Sequence, residues 1–264
     1  LKKITTKFIK EQKGVNKLVM ITAYDALFAN IFDEKVDMIL VGDSLEMSFN
    51  GRDDTLKASM DGMIYHTNAV CNGAKKALII ADMPFGSVIN KDEALKNSLR
   101  VYKETKADAV KVECNSANID IIKYLVDNQI AVVAHIGLTP QSSRSEGGYL
   151  IKGRSEAEKI ELLSIAKKAE NSGAFCIVVE GVISEVAKLI TNSVNIPVIG
   201  IGAGASTDGQ VLVWSDAFGF FDEFKPKFVR RFFNGKELIL KALDEYVSEV
   251  KSGNFPSQNE SYNK

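Results

Sequence analysis

The chain has 264 residues, 45% of them hydrophobic and 25% charged, with a net charge of −1 and a pI near 6.3. That length suits one α/β barrel of about 250 residues, and the composition provides a large core. The near-neutral balance excludes a general attraction to nucleic acid or anionic membrane, so either partner would need a local patch. No apolar run approaches the roughly 18 residues of a membrane span, and the opening LKKITTKFIKEQKG lacks a signal peptide's apolar stretch, so a cytosolic protein is expected. Cys71, Cys114 and Cys176 show neither CxxC nor zinc-type spacing, which points to buried thiols rather than a disulfide framework or structural metal.

Along the chain, β-branched runs alternate with segments of helical period. ITTKFIKEQK predicts a short helix covering the barrel's bottom, ahead of the first strand, LVMITAYD (18–25), and the helix DALFANIFDEK. MILVGD (38–43) precedes the helix SMDGMIYHTNAVCNGA, and ALIIAD (77–82) precedes KDEALKNSLRVYKETK. AVKVE (109–113), AVVAH (131–135) and CIVVE (176–180) alternate with NIDIIKYLVDNQ, SEAEKIELLSIAKKAENSG and ISEVAKLITNSV. PVIGIG (197–202) and VLVWSD (211–216) supply the last two strands, GKELILKALDEYVSEVKSG completes the outer ring, and 254–264 is a polar tail. Strand then helix, repeated, predicts a parallel sheet with right-handed crossovers. Eight repeats predict closure into a single-domain (β/α)₈ TIM barrel over residues 1–253, with an open doubly wound sheet as the runner-up.

Such barrels build their sites at the C-terminal strand ends, where Asp43, Asp82, Glu113, His135 and Glu180 would converge. One strand-end acid is as well explained by capping the next helix, but three on consecutive strands repel one another unless a cation compensates them. Mg²⁺ takes one or two protein carboxylates and leaves the rest to water and substrate, so Glu113 is a third ligand or the holder of a coordinated water. Lys111 shares a strand face with Glu113 and is costly to bury unless it meets an anion, either a substrate or neighbouring carboxylates. Glu180, ending an apolar strand, should have a raised pKa and suits a general base, with capture by backbone amides as the structural alternative. His135 donates to a substrate oxygen or is a hydrogen-bonded wall, and His66 is a packing residue. GIGAG at 200–204 lacks the sixth position of a dinucleotide fingerprint and the following ribose-binding acid. Seven of the 14 Phe fall within 217–233, which suits outer core or a subunit interface.

The motifs ITAYD, LVGDSL, YHTNAV, ADMPF, VKVE, HIGLTPQS, GGY, IPVIGIGAG, TDGQVLV and DAFG followed by PKF, in this order, resemble the ketopantoate hydroxymethyltransferase family. The resemblance implies a (β/α)₈ barrel that moves a one-carbon unit from 5,10-methylenetetrahydrofolate to 3-methyl-2-oxobutanoate, giving 2-dehydropantoate on the way to pantothenate. Motif by motif, it implies Mg²⁺ at Asp43, Asp82 and Glu113, the keto acid at Asp43, Ser44, Asp82 and Lys111, and Glu180 as proton acceptor. It also implies a homo-oligomer, a decamer of two stacked pentamers. Glu46 stands where the family usually has Gly, GRDDTL brings Arg52 and Asp54 into a mouth loop, and GGYLIKGR is more apolar than usual. These departures bear on substrate affinity and loop closure. A folate-independent Mg²⁺-dependent 2-oxo acid lyase or aldolase is the rival enzyme. A non-catalytic binding barrel is the rival from another class.

Overall fold

The computed structural model describes residues 2–221 and 226–262. Eight parallel strands follow one another around a closed barrel: β1 (Leu18–Thr22), β2 (Met38–Val41), β3 (Leu78–Asp82), β4 (Ala109–Glu113), β5 (Val132–Gly137), β6 (Cys176–Glu180), β7 (Val198–Ile201) and β8 (Gly209–Leu212). Pairing of β8 with β1 closes the ring, which rules out the open sheet. The helices are α1 (Thr6–Glu11), α2 (Ala26–Phe32), α3 (Leu45–Ser48), α4 (Met60–Gly73), α5 (Lys91–Glu104), α6 (Asp120–Asp127), α7 (Ser143–Glu146), α8 (Glu156–Asn171), α9 (Ser184–Ser193), α10 (Trp214–Ala217) and α11 (Gly235–Ser252). Side-chain caps start several of them: Asp25 for α2, Ser59 for α4, Asn90 for α5, and a reciprocal Ser155–Glu158 capping box for α8. By its internal contacts the chain divides into residues 1–213, which hold all eight strands, and residues 214–264.

Period-two alternation divides the strand side chains between two cores. Leu18, Met20, Met38, Leu40, Leu78, Ile80, Ala109, Val133, Cys176 and Val178 fill the barrel interior. Ile9 of α1 is completely buried in that same cluster, and the Ile4 amide donates to the Lys76 carbonyl just ahead of β3, so α1 lies at the N-terminal end of the barrel. Val110, Val112, Val132, Ala134, Ile136, Ile177 and Val179 face outward and pack on α5, α6, α8 and α9. Each Val, Leu, Ile or Met side chain so buried contributes about 1.5–3 kcal/mol. All three cysteines are free and buried.

The eighth strand differs from expectation. It spans Gly209–Leu212, and Trp214 begins a helical turn instead of extending the strand. A short apolar run such as VLVW does not distinguish strand from buried helix by period alone. Gly209 makes the earlier start possible, because a Cβ there would lie 2.4 Å from the Leu18 carbonyl oxygen. In the second unit, Trp214 packs against Phe220 with ring centroids 5.3 Å apart. Along α11, Leu238, Ile239, Leu243, Tyr246 and Val250 are all exposed. Of the Phe-rich segment, residues 222–225 lie outside the described residues, while Phe228, Phe232 and Phe233 are exposed.

Candidate active site

The interior face that carries aliphatic side chains low in the barrel carries ionisable ones at its C-terminal end. On β4 the inward series runs Ala109, Lys111, Glu113; on β3 it ends at Asp82, on β5 at His135 and on β6 at Glu180. Register sets Asp82 opposite Lys111 and Glu113 opposite His135. The Lys111 Nζ lies 2.9 Å from Asp82 Oδ1 and 3.0 Å from His135 Nδ1. Lysine only donates, so Nδ1 accepts and the neutral ring carries its proton on Nε2. That Nε2 is buried without an aligned hydrogen bond and stands 3.3 Å from Glu180 Oε2. Asp82, Lys111, His135 and Glu180 thus form a line across three strand boundaries.

Asp43 follows β2, and its backbone N–H donates to Asp82 Oδ2 at 3.3 Å. Ser44, next in sequence, has its hydroxyl 2.8 Å from the phenol of the fully buried Tyr24. His66 Nδ1 lies 2.7 Å from the Tyr24 carbonyl oxygen, so this half-buried ring is held by a hydrogen bond to the segment after β1. Two residues that were not singled out in the sequence therefore enter the site: Tyr24 of ITAYD and Gln141 of HIGLTPQS. Gln141 Nε2 donates to Asp43 Oδ2 at 2.9 Å and to the Met83 carbonyl at 3.0 Å, while its backbone N–H donates to Glu113 Oε2 at 3.2 Å. The available signal was Pro140, whose fixed φ starts the tight turn Pro140–Ser142 that carries Gln141. Chain exit from β5 requires Gly137, with φ +99°, where a Cβ would fall 2.3 Å from the Glu180 carbonyl oxygen.

The departures in the mouth loops are paired locally. Buried Glu46 is 2.5 Å from Arg52 Nε and accepts from Asn50 Nδ2 at 3.1 Å, so its charge is answered within its own loop. Arg144 of α7 donates through Nε and a terminal nitrogen to Asp54 Oδ2 at 2.9 and 2.6 Å, joining two mouth loops. Arg144 is exposed, so solvent screens the pair and it contributes little to stability.

Electrostatics distinguish this cluster from ordinary ion pairing. Burial, reinforced by the Asp82 charge, pushes Asp43 up to about 7. Burial also raises Glu180 to about 7 despite the pull of Lys111, and lifts Glu113 well above the usual carboxylate range. Burial and the Lys111 charge hold His135 well below the usual histidine value. Burial opposes the Lys111 ammonium, but Asp82, Glu113 and Asp43 outweigh it and keep the lysine charged. Four carboxyl groups thus face one permanent cation, and Glu113 Oε1 is buried without a hydrogen-bond donor. Hard oxygen donors whose ionisation is held back by burial fit a divalent cation that would favour their charged forms, and a carboxyl group titrating near neutrality beside a neutral imidazole fits proton abstraction.

The family model for ketopantoate hydroxymethyltransferase matches residues 2–258. The 3-methyl-2-oxobutanoate hydroxymethyltransferase of Aliarcobacter butzleri is 60% identical over 254 residues, 96% of this chain and 94% of its own. The protein of the same name from Sulfurimonas denitrificans is 56% identical over 261 residues, 99% of each. Among solved structures, 2,3-dimethylmalate lyase, a PEP mutase/isocitrate lyase superfamily member, superposes with a TM-score of 0.60 at 15% identity, over 98% of this chain and 90% of its own, which shows a shared fold alone. With a family match across nearly the whole sequence and relatives more than half identical from end to end, the chain belongs to the ketopantoate hydroxymethyltransferase family.

Proposed function

We propose that the protein transfers a hydroxymethyl group from 5,10-methylenetetrahydrofolate to 3-methyl-2-oxobutanoate, giving 2-dehydropantoate for pantothenate synthesis. Family membership supports the substrate pair, and the observation that carries the chemistry is the line Asp82–Lys111–His135–Glu180. Asp43 and Asp82 would hold Mg²⁺, with Glu113 a third ligand or the holder of a coordinated water. Among the described residues no group of three or more His, Cys, Asp and Glu is arranged to hold a metal by itself, so keto acid and water would complete the shell. Lewis acidity toward the 2-oxo group is what Mg²⁺ supplies when bound.

The chain's own residues do the rest. Ser44, oriented by Tyr24, and Lys111 receive the anionic keto acid beside Asp43 and Asp82. Glu180, poised at about 7, takes the proton from C3, the carbon between the two methyl groups and the carbonyl. Charge then develops on the C2 oxygen as an enolate, and the Lys111 ammonium and the His135 Nε2–H are the donors that stabilise it. The C3 carbon forms its new bond to the methylene carbon, both folate C–N bonds to that carbon break, water supplies the hydroxyl oxygen, and the C3 proton and one proton of the water end on the two folate nitrogens. No net redox change occurs. The same proposal includes a homo-oligomer, a decamer by family resemblance, supported by the exposed apolar side chains of α11. No helix among the described residues is long and apolar enough to cross a membrane.

Quantifying 2-dehydropantoate by mass spectrometry, with and without 5,10-methylenetetrahydrofolate and with Mg²⁺ chelated or restored, tests the proposal. Product is expected only with both present. Turnover of the keto acid without folate would replace this function with a lyase or aldolase.

A further inference from the structure

Gln141 touches more of the acid cluster than any sequence motif suggested, and both hydrogens of its amide are committed. Asp43 Oδ2 lies 2.9 Å and the Met83 carbonyl oxygen 3.0 Å from the same Gln141 nitrogen. A carboxylate and a carbonyl only accept, so the atom between them is the amide nitrogen and its orientation is settled by chemistry. The backbone N–H of the same residue holds Glu113 Oε2 at 3.2 Å. One residue on the β5 loop thereby ties together the C-terminal ends of β2, β3 and β4.

The consequence falls on how Asp43 can grip a cation. The Gln141 N–H occupies one of the two lone pairs of Oδ2, so a cation held through both carboxylate oxygens would have to crowd that hydrogen bond. That would disturb the amide whose second hydrogen serves the Met83 carbonyl. Ca²⁺ accepts two-oxygen carboxylate binding in shells of six to eight ligands, whereas Mg²⁺ demands a compact octahedron of single oxygens. Hydrogen bonds from residues behind a ligand commonly orient it in this way. We propose that Gln141 is a positioning residue that restricts Asp43 to a one-oxygen grip and thereby favours Mg²⁺ over Ca²⁺; this rests on the divalent-cation site proposed above.

The test is calorimetric titration of the full-length protein, saturated with 3-methyl-2-oxobutanoate, with MgCl₂ and separately with CaCl₂. Gln141→Met keeps length and loses both donors. It is expected to weaken Mg²⁺ binding by roughly 10- to 100-fold, with a smaller loss for Ca²⁺, so that the Mg²⁺/Ca²⁺ affinity ratio falls about tenfold. Gln141→Asn, one methylene short, should shift the ratio in the same direction and carries the test if circular dichroism shows the Met variant unfolded. A merely structural role would weaken both ions alike, and an unchanged ratio would overturn the assignment while leaving the cation site standing. Wild-type protein that binds neither ion would overturn the site and this assignment together.

Discussion

The two ends of the barrel treat buried charge in opposite ways. At the N-terminal end four aspartates are tied to backbone amides in or just ahead of neighbouring strands. Asp33 accepts from the amides of Lys75, Lys76 and Ala77 just ahead of β3, and Asp37 accepts from Val19 of β1. Asp108 accepts from Ile79 and pairs with Lys3, while Asp208 accepts from Val198 and pairs with Lys13 at 2.7 Å. Burial works against the Asp33 charge, yet its three amides hold it below the ordinary carboxylate value. At the mouth, Asp43, Asp82, Glu113 and Glu180 crowd around one lysine, and burial drives Asp43 and Glu180 up to about 7. Backbone dipoles satisfy charge permanently and stabilise strand starts. Crowded carboxylates leave charge that nothing in the fold fully satisfies, at a cost in stability, which is the pattern of a functional cluster and not of a structural one.

The largest effect should come from Glu180→Gln, which keeps shape but cannot accept the C3 proton. Exchange of that proton in D₂O, followed by NMR without folate, should fall by about 10²- to 10⁴-fold while calorimetry still shows keto-acid binding. Wild-type exchange in this variant would move the base elsewhere, with His135 the next candidate. At the opposite end, Asp33→Ala strands three amide donors and should destabilise the fold by about 3 kcal/mol in urea denaturation without altering exchange in the folded protein.

A third substitution sharpens the contrast. Asp43→Asn removes one of the crowded charges, so the cation-free protein should gain about 1 kcal/mol at pH 8, even as cation-dependent keto-acid binding is lost. A loss as large as that of Asp33→Ala would mean that mouth and bottom acids do the same structural work. The same crowding sets a pH slope. Asp43 and Glu180 have folded values of about 7 against ordinary values of 3.8 and 4.5, so the folded state keeps protons that the unfolded chain has released. Stability without cation should therefore decline as pH rises from about 4.5 to 7. His135, held neutral, opposes this below its ordinary 6.5, but the acids outnumber it. Asp33 acts at lower pH with the opposite sign, its contribution fading as pH falls below 3.8 through its depressed value. Thermal melts across this range should show the decline, and Glu180→Gln should flatten it.

Much of this was legible because it is local. Period two places Asp82, Lys111, Glu113 and Glu180 on the interior face of apolar runs, and alternation with capped helices predicts a parallel barrel. The eighth strand was misplaced because VLVW has no period to distinguish it, and the four-residue helices α3 and α7 are too short to leave one. Tyr24 and Gln141 carried no chemical signal, since a phenol and an amide are common in loops and matter only through what they touch.

Sequence by itself therefore determined which residues point inward and at which end of each strand they stand, because side-chain alternation is a property of the extended chain. Tertiary structure alone decided which of them meet. Gln141 reaches Glu113, Met83 and Asp43 across 28, 58 and 98 residues. Only closure of the ring through β8 and β1 brings the ends of β2 to β6 together in one cluster, where burial and mutual repulsion set the ionisation of each group.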